Sequence, residues 1–361
     1  MNDRVDNLDL LRAMAIVMVV FFHLPTWVGW PDSPLQILVQ GWWSGVDLFF
    51  VLSGYLVGGL FWRELAKDGE VRLFRFVLRR LLRTVPPYLV ALHLIYAYKW
   101  ASTGAAEYDW HYLLFLQNYS GLSIFSVSWS LCVEEHFYLI APFLFLWVGR
   151  ARQGWVLLAV AAIPLFSRLL FTQPPASPFG PHYFLSHNHF EGLAVGAWLS
   201  YVITFHAGPA RLWAARARYL LWPCLLGILG LKFFAPSLYI EGVIGYTWLA
   251  AGFGLILLVG VHAKPWPLAK SVVVKLIARQ SYSLYLTHTY VMLVAHRFIL
   301  PRLELHSALA DSLVVLTLAL GVGYLFYRLV ERPAFWLRDR LTGETGARNV
   351  VKGANETQPA G

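Results

Sequence analysis

Apolar runs of about twenty residues recur along this chain, separated by short polar or aromatic stretches. They cover roughly 8–28, 41–62, 78–98, 127–148, 154–171, 188–206, 219–235, 241–261, 280–299 and 308–330. Each is near the ~20 residues a helix needs to cross a bilayer, though the fifth and seventh are short. The pattern predicts an all-α, polytopic membrane protein of about ten transmembrane helices. A single membrane domain is expected over 1–342. The polar tail 343–361, with Gly, Asn and Pro, is expected to be disordered. The first run follows Asp3, Asp6 and Asp9 and precedes Pro25 and Trp27, with no small-residue cleavage site, so it is expected to stay as a helix. No internal repeat is visible, which weighs against a transporter built from repeated halves.

Charge orients these helices. With the N-terminus inside, the cytoplasmic segments are 1–12, 63–83, 149–153, 207–218, 262–279 and 328–361. They hold all of the 29 Lys and Arg except Lys99, Arg168, Lys232, Arg297 and Arg302. That asymmetry predicts both termini in the cytoplasm. The longest outer loops, about 99–126 and 172–187, are rich in Trp, Tyr, Pro and Ser.

Composition agrees. The chain is 58% hydrophobic and 14% charged, against about 25% charged in soluble domains. The formal net charge of +9 is explained by the positive-inside bias, without nucleic acid as a partner. Cys132 and Cys224 lie in apolar runs and suggest neither a zinc site nor a disulfide framework. Outer aromatics, including Trp27, Trp30, Trp42, Trp43 and Trp110, suit an interfacial belt or platforms for sugar rings.

Against this apolar background the polar residues are conspicuous. Arg12 and His23 share the first helix, eleven residues apart. Eleven residues bring a helix to within about 20° of a whole number of turns and about 16 Å along its axis, so both face one side. A central Arg costs roughly 2.5–3.5 kcal/mol on insertion scales. Taken alone, Arg12 also suits an interfacial anchor, and His23 a packing residue. The second helix carries Asp47 among glycines that allow close helix approach. Arg72, Arg75, Arg79, Arg80 and Arg83 crowd the start of the third; they suit a phosphate-rich ligand or anionic lipid headgroups. The fourth carries adjacent carboxylates, Glu134 and Glu135, about 100° apart on the helix, followed by His136 and Tyr138. His189 and Glu191 open the sixth, with a spacing that matches no zinc motif, and Tyr285 and His288 lie in the ninth. No metal is expected.

In order, these pieces are Arg12-x10-His23; Gly45-Val-Asp-Leu-Phe-Phe-Val-Leu-Ser-Gly-Tyr55; Arg79-Arg80-x-x-Arg83 with Pro86 and Tyr88; Trp129-Ser-Leu-x-x-Glu134-Glu135-x-Phe-Tyr138; Phe190-Glu-Gly-Leu-Ala-Val-Gly196; Ser281-Tyr-Ser-Leu-Tyr-Leu-x-His288; and Glu331-Arg-Pro333. Over about residues 6–335 the chain resembles the acyltransferase-3 family of bacterial membrane O-acyltransferases, in the stand-alone form without a fused hydrolase-like domain. It departs at His136, where the family commonly has Gln, and at Asn188-His189, where an Arg usually precedes the Phe190 stretch.

The resemblance implies an inner-membrane enzyme that moves an acyl group, most often acetyl, from cytosolic acyl-CoA to a hydroxyl of a carbohydrate or glycan. Within that reading, Arg80 and Arg83, with Arg79, Arg75 and Arg12, bind the acyl-CoA. His23 is the general base, since imidazole titrates near neutrality, and Glu134 orients it. A relay in which His23 itself carries the acyl group is equally open. Asp47, Glu135, Tyr138, Glu191, Tyr285 and His288 are expected to line the chamber, with Tyr138, Tyr285 and His288 as candidates to stabilise the oxyanion. The competing class is a transporter or flippase of a lipid-linked or anionic solute, which would release no coenzyme A.

Overall fold

The computed structural model describes residues 6–31, 34–171, 183–234, 241–305 and 307–342. The tail 343–361 and most of the loop 172–187 lie outside them. Among the described residues all regular structure is helical. The main helices are α1 (Asp6–Val28), α2 (Gly45–Asp68), α3 (Leu73–Thr103), α4 (Trp129–Trp147), α5 (Gln153–Phe171), α6 (Phe190–Phe205), α7 (Ala207–Phe234), α8 (Tyr246–His262), α9 (Val272–Val294), α10 (Ala308–Phe326) and α11 (Arg332–Leu341). Gly69 and Gly104 end α2 and α3 in left-handed conformations, φ +77° and +72°, and return their N–H groups to Leu65 and Trp100.

Among the described residues, six helical stretches are long and apolar enough to cross a membrane: Asp6–Val28, Leu35–Asp68, Ser126–Trp147, Gln153–Phe171, Gly242–His262 and Ala308–Leu341. This is the signature of an integral membrane protein. It is fewer than the ten runs read from sequence, and the reason is visible in the remaining helices. α3 begins with the arginine cluster. α9 carries Gln280, Ser281, Ser283 and His288, all buried. Polar residues turned inward lower a helix's mean hydropathy without exposing anything polar to lipid. α6 is apolar but has only 16 residues.

α1, α2, α3, α4 and α9 surround the centre of the bundle; α5, α7, α8 and α10 pack outside them. The tightest helix pair is α2 with α6. A methyl group at Gly54 would overlap the Leu193 carbonyl, and one at Gly196 the Val51 carbonyl. One at Gly58 would lie 2.9 Å from the Cα of Ala197. Small residues thus let two backbones touch, as membrane helices require where the hydrophobic effect does not drive them together. Trp62, fully buried, spans the same seam and donates to the Ala197 carbonyl at 3.0 Å.

One end of the bundle gathers both ends of the described chain. Asn7 donates to Gly260 at 2.8 Å, Lys275 pairs with Asp6 at 3.0 Å, and Arg75 donates to the Thr342 carbonyl at 2.6 Å. At the other end His296 bonds the Trp27 carbonyl at 2.7 Å and Trp30 donates to Ser312 at 2.8 Å.

Replacing Gly54 or Gly196 with Ala is expected to destabilise the fold by about 1–3 kcal/mol or more, because backbone must move. Gly208→Ala, with nothing within 4 Å of the added carbon, is expected to leave stability unchanged. Thermal unfolding in detergent checks the contrast.

Candidate active site

α2 presents Val46, Phe49, Phe50, Ser53 and Leu56 on one face, at the spacing of an amphipathic helix. That face closes one side of an internal chamber. Arg12 of α1, Arg80, Arg83 and Thr84 of α3, Ser130, Leu131 and Glu134 of α4, and Ser281, Tyr282 and Tyr285 of α9 complete it. Sequence reasoning did not single out Ser53, which is joined to Tyr138, donates to Glu134 at 3.2 Å and accepts from Arg80 at 3.2 Å. Arg80 meets the Glu134 carboxylate at 3.4 Å, and its guanidinium lies 4.2 Å from the centre of the Tyr138 ring. Tyr138 donates to the same carboxylate oxygen at 3.4 Å. A buried charge costs several kcal/mol unless answered; here carboxylate and guanidinium answer each other.

Glu135, turned about 100° from its neighbour, meets a different partner: Thr84 donates to it at 2.6 Å. Pro86 and Pro87 interrupt the α3 hydrogen-bond ladder just beyond, and Tyr282 donates to the Thr84 carbonyl at 2.8 Å. Glu331, in a wide turn between α10 and α11, accepts from Ser283 at 2.5 Å.

A second cavity opens at the end of the bundle that holds both ends of the described chain. It is lined by Arg63, Lys67, Arg72, Arg75, Arg79, Arg80, Arg83 and Arg338, against the acidic Glu64 and Asp68, on a floor of Val57, Leu60 and Phe76. Arg80 and Arg83 belong to both cavities. Arg83 lies in the fields of Arg80, Arg12 and Arg338, opposed by Glu331. α11 supplies Arg338 and places Phe335 with its ring centre 5.8 Å from the Arg83 guanidinium. Sequence reasoning did not single out Arg338, which lies past the last recognised motif.

His23 is half-buried and stands beyond the chamber wall. Its Nδ1 lies 2.9 Å from the Val19 carbonyl and 3.4 Å from Nε2 of His288, which is fully buried. The two rings are 5.0 Å apart. Tyr285 lines the chamber with its ring 5.8 Å from that of His288; its hydroxyl meets Ser130 at 2.6 Å and donates to the Val127 carbonyl at 2.8 Å. The neighbour of His23 is therefore His288. Glu134, expected to orient it, is engaged with Ser53, Arg80 and Tyr138 instead. Arg12 lines the chamber and also meets Asp9 at 3.4 Å.

Asp47 and Glu191 gather elsewhere. Glu191 pairs with Arg168 at 2.7 Å, and Asp47 lies within the electrostatic reach of both. Arg168 also bonds the carbonyl of Asn188, that of Val243 at 3.1 Å and the Thr247 hydroxyl at 2.9 Å, binding α5, α6 and α8 together. An Arg isolated in an apolar run, far from the basic segments, was the available signal for such a partner. His189 meets the Tyr183 carbonyl and packs on Trp129 and Tyr246. His136 lies against Cys132 and Tyr119. Both cysteines are free thiols. Among the described residues no three His, Cys, Asp or Glu side chains are grouped to hold a metal.

Relatives of this arrangement are bacterial. The chain is 24% identical over 366 residues to the O-acetyltransferase OatA of Staphylococcus aureus strain NCTC 8325, covering 91% of this chain and 56% of that protein. The same figures hold for OatA of strain COL. The chain thus spans just over half the length of these relatives. No solved structure matches it significantly. The family model described as an acyltransferase domain matches residues 5–328, so this chain belongs to the acyltransferase-3 family of membrane proteins.

Proposed function

We propose that this protein is an O-acyltransferase of the bacterial inner membrane, moving an acetyl group from cytosolic acetyl-CoA to a hydroxyl of a glycan. The observation that carries the reading is that Arg80 and Arg83 line both the basic cleft and the buried chamber. A cleft with eight cations and two carboxylates suits the phosphates of a nucleotide carrier. Two cavities that share arginines suit the slender arm that leads from those phosphates to a thioester. The acetyl group is suggested by the O-acetyltransferase relatives. The basic end of the bundle faces the cytoplasm, in keeping with the positive-inside bias. On that footing α1 to α10 all cross the membrane and both chain ends are cytoplasmic. The aromatic outer end receives the acceptor.

The chemistry needs few groups. His23 takes the proton of the acceptor hydroxyl as its oxygen attacks the thioester carbonyl. Tyr285, whose single hydroxyl proton goes to the Val127 carbonyl at 2.8 Å, does not donate to the tetrahedral oxyanion that results. The oxyanion collapses with loss of the carbon–sulfur bond, and the proton on His23 passes to the departing thiolate. Arg12, eleven residues from His23 on one face of α1, marks the path of the carrier arm. Glu134 acts on the arginine side, holding the Arg80 guanidinium in the wall between cleft and chamber.

Purified protein in lipid vesicles, supplied with acetyl-CoA and cell-envelope glycan, is expected to release free thiol in an acceptor-dependent manner. His23→Ala is expected to lower that rate by roughly 10²–10⁴-fold, the usual worth of a general base. A near-normal rate in the variant would sink the role of His23; no release by folded protein with short acyl-CoAs would sink the donor. Arg72→Gln and Arg79→Gln, at the cleft wall, are expected to raise KM for acetyl-CoA while kcat holds, with an effect that shrinks at high salt. Arg80→Ala is expected to cost about 3–5 kcal/mol of stability, because it strands the Glu134 carboxylate.

A further inference from the structure

The His23–His288 contact fixes where the protons sit. Nδ1 of His288 lies 3.2 Å from the Leu284 carbonyl and 2.8 Å from the Tyr285 carbonyl. Carbonyl oxygens only accept, so this nitrogen must donate and carries the proton. In a neutral imidazole the other nitrogen is then a bare acceptor, and it is this Nε2 that faces Nδ1 of His23 at 3.4 Å. His23 Nδ1 also faces the Val19 carbonyl at 2.9 Å. With an acceptor on each side, Nδ1 of His23 holds a proton and donates to both. What remains on His23 is a lone pair on Nε2, the nitrogen directed away from its own helix backbone.

We infer that His288 is the positioning residue for His23: it accepts the Nδ1 proton of His23 and so presents Nε2 as the basic nitrogen. The same hydrogen bond serves the next step. When Nε2 takes a proton from the acceptor hydroxyl, the resulting imidazolium keeps its Nδ1–H bonded to His288 and Val19, and its charge is met by two acceptors. This is the part a buried carboxylate plays in a Ser-His-Asp site. A neutral imidazole performs it here without bringing a second full charge into the membrane. His288 can do so because α9 buries it completely, with Nδ1 tied to its own helix. Among the described residues His288 lies in the field of His23, and the ring of Tyr285 packs beside it while its hydroxyl is turned to Ser130 and Val127. The inference rests on His23 being the base in the proposed transfer.

Two measurements test it separately. In full-length protein labelled with 15N-histidine in lipid, near neutral pH or above, both imidazoles are expected to show a protonated Nδ1 and a bare Nε2. A nitrogen–nitrogen correlation should join His23 Nδ1 to His288 Nε2 and disappear in His288→Gln. A proton found on Nε2 of His288 would overturn the assignment, whatever the enzyme does. In the thiol-release assay, His288→Ala is expected to lower kcat tenfold or more with KM for acetyl-CoA unchanged. His288→Gln, whose amide oxygen can accept from Nδ1, should recover most of the loss. Equal losses in both variants, or a change confined to KM, would make His288 a packing residue. A wild type that shows the nitrogen correlation but releases no thiol would sink the acyltransfer reading and leave the tautomer assignment standing.

Discussion

Backbone contact between α2 and α6 is the constraint on which the rest of this bundle hangs. Gly54 and Gly196 let the two helices meet where side chains ordinarily hold them apart. In an α-helix the next residue points about 100° away, so the glycine that faces α6 fixes Ser53 toward the chamber. There it meets Arg80, Glu134 and Tyr138 at once. Close packing outside the chamber thereby sets the geometry inside it.

Charge imposes the second constraint. Hydrocarbon offers nothing to a guanidinium or a carboxylate, so each must be answered by protein. Arg80 is answered by Glu134 and the face of Tyr138. Arg168 is answered by Glu191, by the Asn188 and Val243 carbonyls and by Thr247. The two sets have different characters. The surroundings of Arg168 are closed and buried, suited to holding three helices. Those of Arg80 border open space on both sides, with further arginines close by.

The apolar runs located every main helix from α1 to α10, because burial in lipid leaves a long signal in one dimension. They misjudged lengths. α2, α3, α7 and α9 all run past the apolar run that announced them, at the ends carrying Lys67, Arg75, Arg211 and Lys275, since a helix continues readily where hydropathy has already ended. The arginine cluster and its neighbourhood to Glu134 were legible as residue types too costly to leave unused. Pairing was not. Nothing in one dimension says that Glu134 turns to Arg80 while His288 turns to His23, because both depend on helix rotation within a few tens of degrees. Ser53 and Thr84 escaped notice because hydroxyl residues are cheap in a membrane helix and leave no statistical mark.

α11 casts the architecture in a different light. The family match ends at residue 328, yet Arg338 and the Thr342 carbonyl help build the basic cleft, and Phe335 sits near Arg83. The vestibule is thus built partly by the last described helix, while Ser53, Glu134 and the histidine pair stand on others. On the proposed reading, a change in α11 alters the entrance before it reaches the reacting groups.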